Sequence, residues 1–210
     1  MADGSDGRPG VRIAIIVEGS TEKAFKPFLQ TYLKGKLSGN MPKLDFVPQD
    51  GRIPTGSALS RLVERLLNDG KKSADAVIAL SDVYTGTHDF ADAADAKAKM
   101  NSWVGDVTNF YPHVALHDFE AWLIPYWPKI QRLAKSDRQR PGSNPETINH
   151  NNPPAYRLKE IYRIGACRRD YNKVRDAPKI LDGEDLGVAV SECSELKALV
   201  DGIVSLCGGA

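Results

Sequence analysis

The chain has 210 residues, of which 41% are hydrophobic and 26% charged, a composition typical of a soluble globular protein with one main core. Its formal net charge of +1 excludes a strongly basic protein that coats nucleic acid through bulk electrostatics, so any nucleic-acid contact must be local. It has no apolar run of membrane-spanning length, and its first ten residues lack the apolar segment of a signal peptide, which predicts a cytoplasmic protein without membrane contact.

The core is predicted to begin with a strand and a helix. Residues 1–10 have no hydrophobic period and are expected to form a disordered leader. VRIAIIV, residues 11–17, is short and almost continuously apolar, as in strands buried on both faces of a parallel sheet. STEKAFKPFLQTYLKGKL, residues 20–37, has apolar residues at helical spacing and two hydroxyl residues at its start, so it predicts a helix.

This unit of a strand and a following segment recurs through residues 11–127, the predicted core. The further predicted strands are 44–49, 74–80 and 113–119, and the segments that follow them are 57–70, 89–104 and 120–127. Strands that alternate with helices at this spacing predict an α/β fold of the Rossmann-like kind. We therefore expect about four mostly parallel strands with helices on both faces.

The composition changes after residue 127. Residues 128–154 are polar and without a sustained period, which predicts a polar loop inserted after the core. Its basic residues could hold a nucleic-acid backbone or be solvated surface, and an acid in the same run slightly favours the surface alternative: Arg132, Lys135, Arg138 and Arg140. Residues 155–210 regain helical spacing and are expected to form a C-terminal helical region that packs on the core. Three cysteines without a CxxC pair suggest neither a disulfide framework nor a zinc knuckle.

Acidic residues follow three of the four predicted strands. Glu18 follows the first strand, Asp82 follows the third, and His117, Asp118 and Glu120 stand at the end of the fourth. In open α/β sheets, ligands bind beyond the carboxyl ends of the strands. Because a buried carboxylate needs a cation or hydrogen-bond donors, a cluster of carboxylates favours a bound metal ion. Oxygen ligands of this kind suit Mg²⁺ or Mn²⁺.

The first of these strand ends also has features of a phosphate site. Gly19 allows the backbone to approach a bound group closely, and the helix that begins near Ser20 directs its N-terminus toward an anion. Glu22 lies four residues after Glu18, where it could face the same site or pair with Lys26 on a solvated helix face.

Each of these residues, taken alone, also has a structural explanation. Glu18 could be an acid favoured by a helix N-terminus, and Asp82 could cap or turn the chain. The acids after the fourth strand could belong to the first turn of the next helix. His117 could be a metal ligand or a hydrogen-bonded packing residue, and Asp89 could be a helix cap or a ligand. The metal interpretation therefore depends on several acids meeting at one edge.

Several motifs together resemble a known family. They are VEGSTEKAF (17–25), VIALSDVYTGTHDF (77–90), HDFEAWL (117–123), PPAYRLKEIY (153–162), YNKV (171–174) and KILDGEDLGVAVSECSELKALV (179–200). The chain resembles the topoisomerase-primase (TOPRIM) fold, whose motifs are a Glu after the first strand and a DxD after a later one. It is more closely similar to a bacterial TOPRIM-like group named domain of unknown function 4276. HDFEAWL is the most distinctive of these motifs.

The resemblance implies a role for individual residues. Glu18 matches the first TOPRIM acid, and Asp82 matches the first Asp of the DxD motif. Tyr84 occupies the place of the second Asp, so Glu120 or Asp89 would have to supply the missing ligand. By the same resemblance, Glu120 matches the glutamate of the family's FEA motif, which lies within HDFEAWL. Lys173 matches the lysine of the family's Y-x-K motif, which lies within YNKV.

The function implied by the resemblance is cleavage of nucleic-acid phosphodiester bonds, commonly in antiphage defence beside an ATPase partner. Glu18, Asp82 and Glu120 would hold one or two Mg²⁺ ions, and Lys173 or an arginine of residues 132–140 would neutralise charge on the phosphoryl group. Lys173 could equally be a solvated lysine of the C-terminal region. Two alternatives stay open: an inactive TOPRIM-like module that docks on a partner, and an enzyme that acts on nucleotides or another small phosphorylated substrate. The choice between DNA and RNA and the formation of homo-oligomers also stay open.

Overall fold

The fold is seen in a computed structural model of the chain. It describes residues 10–37, 39, 41–49, 51–83, 89–148 and 152–208, without the side chains of residues 20–23. Apart from Gly10, the predicted leader lies outside these ranges. Within them, no helix is both long enough and apolar enough to span a membrane.

A sheet of four parallel strands lies at the centre of the described residues. The strands are β1 (Arg12–Val17), β2 (Lys43–Pro48), β3 (Ala76–Asp82) and β4 (Phe110–Ala115), in the spatial order β2-β1-β3-β4. In this register, Ile15 of β1 lies opposite Phe46 of β2 and Ile78 of β3. Every residue of β3 is buried, as expected for a central parallel strand. The predicted α/β fold with parallel strands is confirmed.

Helices connect and follow the strands. The α-helices are α1 (Ser20–Lys36), α2 (Gly56–Leu67), α3 (Ala93–Val104), α4 (Trp127–Ala134), α5 (Pro154–Ile164), α6 (Lys173–Leu181), α7 (Leu186–Glu192) and α8 (Ser194–Leu206). Short 3-10 helices are formed by Gly70–Lys72, Phe119–Tyr126 and Pro145–Thr147.

The sheet divides the core into two layers, because side chains alternate between the faces of a strand. Ile15 of β1 belongs to the layer that contains α1 and the helices of the C-terminal half. Ile16 belongs to the layer that contains α2 and α3. In the first layer, the rings of Phe25, Phe119 and Trp122 pack with centroids 5.4 to 5.6 Å apart. These rings fasten the segment after β4 to α1.

Two predicted boundaries are corrected by the structure. The strand predicted at 113–119 is β4, which begins at Phe110, includes Pro112 and ends at Ala115. β4 is an edge strand, and a proline without an N–H is tolerated there. The polar loop predicted at 128–154 begins as a helix, because Pro128 lies in the first turn of α4, a position that favours proline.

His113 of β4 makes the stability of the fold sensitive to acid. Its ring packs so closely against α8 that a Cβ on Gly202 would lie 3.3 Å from Nε2. Burial, with the nearby charge of Lys97, lowers the pKa of His113 from 6.5 to about 4. The unfolded chain therefore takes up this proton first as the pH falls, and the free energy of unfolding decreases between the two values.

His113→Leu is expected to remove this acid sensitivity. Urea unfolding at about pH 7 and about pH 4.5 measures it: the wild type should lose about 2 kcal/mol more stability over this interval than the variant. All other titrating groups are shared by the two proteins and cancel in the comparison. An equal loss in both proteins would contradict a depressed pKa at His113.

Candidate active site

Glu18 joins the carboxyl ends of β1 and β3. It directly follows β1 and is 7% exposed. Its Oε1 accepts hydrogen bonds from Ser81 Oγ at 2.8 Å and from the Asp82 backbone N at 3.0 Å. Its backbone carbonyl accepts from Gly51 N at 3.0 Å, which holds the segment after β2 at the same edge. The carboxylate of Glu18 is thus oriented by the end of the neighbouring strand.

Asp82 extends the same network toward the segment after β4. It is the last residue of β3 and is 8% exposed. Its Oδ1 accepts from the backbone N of Phe119 at 3.1 Å. The next residue, Val83, donates its N–H to the carbonyl of His117 at 3.1 Å. Side chain and backbone both tie the end of β3 to residues 117–119.

Asp118 and Glu120 flank this contact and are both 3% exposed. Asp118 Oδ2 accepts from Ala155 N at 3.1 Å, in the first turn of α5. Its Oδ1 is buried and meets no hydrogen-bond donor among the described residues. Glu120 Oε1 accepts from Tyr171 Oη at 3.4 Å. We call Glu18, Asp82, Asp118 and Glu120 the acidic edge.

The electrostatics of the acidic edge favour an added cation. Burial and the negative charge of Glu120 raise the pKa of Asp118 well above its ordinary value, although the N–H groups of Ala155 and Glu120 and the charge of Lys173 act in the opposite direction. Burial and Glu120 also raise the pKa of Tyr171 far above its ordinary value, so its hydroxyl keeps its proton and donates to Glu120. Two acids therefore share a buried place with little positive charge.

Most predicted site residues lie at or beside the acidic edge. Glu18 and Asp82 are in contact, and Phe119 links Asp82 to the Asp118 and Glu120 pair. Lys173 is exposed at the start of α6, close enough to Asp118 to affect its pKa. Gly19 lies between Glu18 and the start of α1. His117 is 8% exposed in the same segment.

Of the other predicted site residues, Asp89 forms contacts outside the acidic edge, and the rest lie outside the described residues. The carboxylate of Asp89 forms an ion pair with Arg52, and its backbone carbonyl accepts a hydrogen bond from Lys99 Nζ at 2.8 Å. Tyr84 and the side chains of Ser20 and Glu22 lie outside the described residues. An accessory role of Tyr84 in the site therefore stays a prediction.

Three of the basic residues predicted in the 128–154 segment contact acidic side chains. Arg138 pairs with Glu160 at 3.1 Å, and Arg140 pairs with Glu192. Arg132 lies 4.0 Å from Glu184. These contacts, to acids on α5 and α7 and in the segment between α6 and α7, agree with the surface alternative more than with a nucleic-acid site.

Three contributors to the site were missed from the sequence. Ser81 could have been found from its position, since it directly precedes Asp82 at the end of an apolar strand. Tyr171 lies in YNKV, beside the predicted Lys173, but nothing local indicates that its hydroxyl reaches Glu120. The contact of Ala155 with Asp118 joins residues 37 positions apart through a backbone N–H, for which no side-chain pattern exists.

The acidic edge has the donor chemistry of a site for a hard divalent cation. The side-chain atoms that could bind a metal ion there are all carboxylate oxygens. One of them, Asp118 Oδ1, is buried and has no hydrogen-bond donor among the described residues. As the side chains lie, no group of three or more His, Cys, Asp or Glu within the described ranges is arranged to hold a metal ion. The residue types fit Mg²⁺ or Mn²⁺, whereas a preformed three-residue cage is not seen in that part of the chain.

Comparisons with known proteins place this geometry in context. The model of a family described as "Domain of unknown function (DUF4276)" matches residues 17–204. The solved C-terminal region of the Burkholderia pseudomallei OLD protein is similar in structure, with a TM-score of 0.50 over 91% of this chain and 98% of that chain. The two sequences are 13% identical, so this likeness shows the fold alone. A search of curated proteins gives no match.

Proposed function

The chain belongs to the family described as Domain of unknown function (DUF4276), and from this premise we propose that it is a Mg²⁺-dependent nuclease that cleaves nucleic-acid phosphodiester bonds at the acidic edge. The family description names no activity, so one observation carries the proposal. Buried acids from β1, β3 and the segment after β4 are linked by hydrogen bonds at the carboxyl edge of a parallel sheet. This is the edge at which α/β proteins bind ligands.

Glu18, Asp82 and Glu120 are the proposed ligands of Mg²⁺ or Mn²⁺, with Asp118 beside them. When bound, the cation would supply Lewis-acid activation of the phosphate and of the attacking water. Ser81 Oγ and the Asp82 N–H orient the Glu18 carboxylate, so little reorganisation is needed at that residue.

The other residues of the site would bind and orient the substrate. Lys173 lies at the start of α6 near Asp118, where its ammonium would neutralise charge on the phosphoryl group. Gly19 and Ser20 lie where β1 passes into α1, so their backbone N–H groups would contact a phosphate oxygen. Tyr171 acts as a positioning residue through its hydrogen bond to Glu120.

The TOPRIM resemblance supports the nuclease assignment, because Glu18 and Asp82 occupy the positions of its first two acids. By the same resemblance, we propose that this activity serves antiphage defence beside an ATPase partner protein. We propose the cytoplasm as its location. The similarity of its fold to the C-terminal region of the OLD protein is compatible with this proposal.

A second candidate function is an inactive TOPRIM-like module that docks on a partner. Two observations favour it: the absence of a three-acid metal group among the described residues, and Tyr84 at the place of the second Asp. In that case the acidic edge would be a former catalytic site without activity, and nucleic-acid affinity would come from the partner.

Metal-dependent cleavage separates the two candidates. The purified chain is incubated with supercoiled plasmid, single-stranded DNA and single-stranded RNA in Mg²⁺, Mn²⁺ or EDTA. Cleavage is expected with metal and not with EDTA. In Asp82→Asn it should fall about 100-fold or more, because the variant removes a ligand charge while its carbonyl can still accept from Phe119 N.

Asp106→Asn is the matched control, because Asp106 is exposed at the opposite edge of the sheet, before β4. Its cleavage should equal that of the wild type. If the wild-type chain neither binds Mg²⁺ or Mn²⁺ in calorimetry nor cleaves any of the three substrates, the nuclease proposal is wrong for this chain alone and the inactive module is favoured.

A further inference from the structure

A groove of about 470 Å³ lies along the outer face of α5. It is bounded by that helix and by the end of the segment that leads to α6, and it is lined by Tyr156, Lys159, Glu160, Arg163, Asp170 and Tyr171. We call it the α5 groove. Tyr171 also reaches Glu120 with its hydroxyl at 3.4 Å. The α5 groove and the acidic edge therefore share Tyr171 as a common wall.

The cations of the α5 groove are available for an anionic ligand. Lys159 and Arg163 are exposed, and neither makes an ion pair with any residue that the structure describes. Four residues apart on one helix, they are separated by about 6 Å along its axis. Glu160 is engaged by Arg138 at 3.1 Å and by Arg157 at 3.7 Å, so its charge is compensated. Asp170 is the other acid of the groove.

Tyr156 adds an aromatic surface to these charges. It is 44% exposed, among the few large hydrophobic side chains of the described chain that are open to solvent. It precedes Lys159 by one helical turn, so the ring and the ammonium lie on the same side of α5. An exposed ring beside cations is the combination that binds single-stranded nucleic acid, by stacking on a base while the cations contact the phosphates.

We infer that the α5 groove binds a single strand of nucleic acid and leads it to the acidic edge. Tyr156 stacks on an unpaired base, and Lys159 and Arg163 contact successive phosphates. A base within a duplex is stacked on its neighbours and does not offer its face to a side chain, which is why the occupant is a single strand. This inference rests on the proposed function, whose substrate it specifies.

Binding in EDTA tests the groove separately from cleavage. Fluorescence anisotropy is measured with labelled oligothymidine and oligouridine of about 15 nucleotides. Tyr156→Ala should weaken binding at least about fivefold, whereas Tyr156→Phe should bind as the wild type does, because the stacking surface remains. The double variant Lys159→Gln, Arg163→Gln should lower the slope of log Kd against log salt by about 1.4, or about 0.7 for each lost phosphate contact.

The matched control is Lys71→Gln, Lys72→Gln, which removes the same charge from the 3-10 helix before β3, at the opposite edge of the sheet. Its affinity should exceed that of the groove double variant. The two oligonucleotides show whether the groove prefers DNA or RNA. Wild-type protein that binds neither oligonucleotide, or groove variants that bind as tightly as the control, would overturn the inference. Metal-dependent plasmid cleavage by the wild type would then still stand, so the groove and the nuclease can fail separately.

Discussion

Glu18→Gln is expected to reduce metal-dependent cleavage about 100-fold or more without harming the fold. Glutamine has the shape of glutamate, and its carbonyl oxygen can still accept from Ser81 Oγ and Asp82 N, at the 2.8 and 3.0 Å seen for Glu18 Oε1. The variant loses the negative charge, and an NH₂ group replaces the second carboxylate oxygen. A fall in activity would therefore report the charge of a ligand and not a rearranged strand end.

Three measurements make this test specific. Initial rates of cleavage give the activity, calorimetry gives the Mg²⁺ affinity, and thermal unfolding gives the stability. Ser81→Ala is the matched variant, because it removes one hydrogen bond to Glu18 and keeps the charge, so its loss should be nearer tenfold. Full activity in Glu18→Gln would exclude Glu18 as a ligand.

The stability of Glu18→Gln carries separate information. Glu18 is buried, and keeping a carboxylate away from water is costly even where it accepts hydrogen bonds. Neutralising Glu18 should therefore leave the melting temperature unchanged or raise it. A residue that lowers stability and yet is needed for activity is the pattern expected of a functional site.

Asp176→Ala is expected to destabilise the protein by about 3 kcal/mol or more. The side chain of Asp176 has no exposed surface and accepts from Arg169 Nη1 at 2.7 Å and from the backbone N of Asn172 at 2.9 Å. Arg175 binds both carboxylate oxygens, with Nε at 3.0 Å and Nη2 at 2.7 Å. Burial opposes ionisation, but these donors keep the pKa of Asp176 below its ordinary value. Removing the carboxylate leaves its donors without their acceptor.

Urea unfolding measures this loss. Asp201→Ala is the control, because it breaks an ion pair to Lys197 in which both side chains are more than half exposed, and such pairs contribute about 0.5 kcal/mol or less. The Asp176 variant should also cleave more slowly, since its carboxylate fixes the turn that carries Tyr171 and Lys173. A loss below about 1 kcal/mol would contradict this account of the buried network.

The parallel sheet could be predicted from the sequence because each strand is a short apolar stretch that a helix follows. The carboxyl ends of such strands lie at one edge, which is why the positions of Glu18 and Asp82 along the chain were enough to predict that they meet. β4 was harder to delimit, since Pro112 weakens the strand pattern, and its tolerance depends on the edge position that only the sheet reveals.

The rest of the site depends on contacts between residues far apart in sequence. Tyr171 meets Glu120 across 51 positions, and Ala155 meets Asp118 across 37. Both contacts follow from how the C-terminal helices pack on the segment after β4. The helical spacing in this part of the chain does not indicate which residues the helices contact. The α5 groove could therefore be found only once the helices were placed.

The order of the elements along the chain has a consequence for biosynthesis. All four strands are complete by Ala115, yet the sheet face that carries Ile15 is covered largely by residues from Phe119 to Ile203. A chain emerging from the ribosome would therefore present one apolar sheet face for the time needed to make its second half. Chaperone contacts and aggregation during translation would concentrate on that face, and docking of α8 would end the exposure.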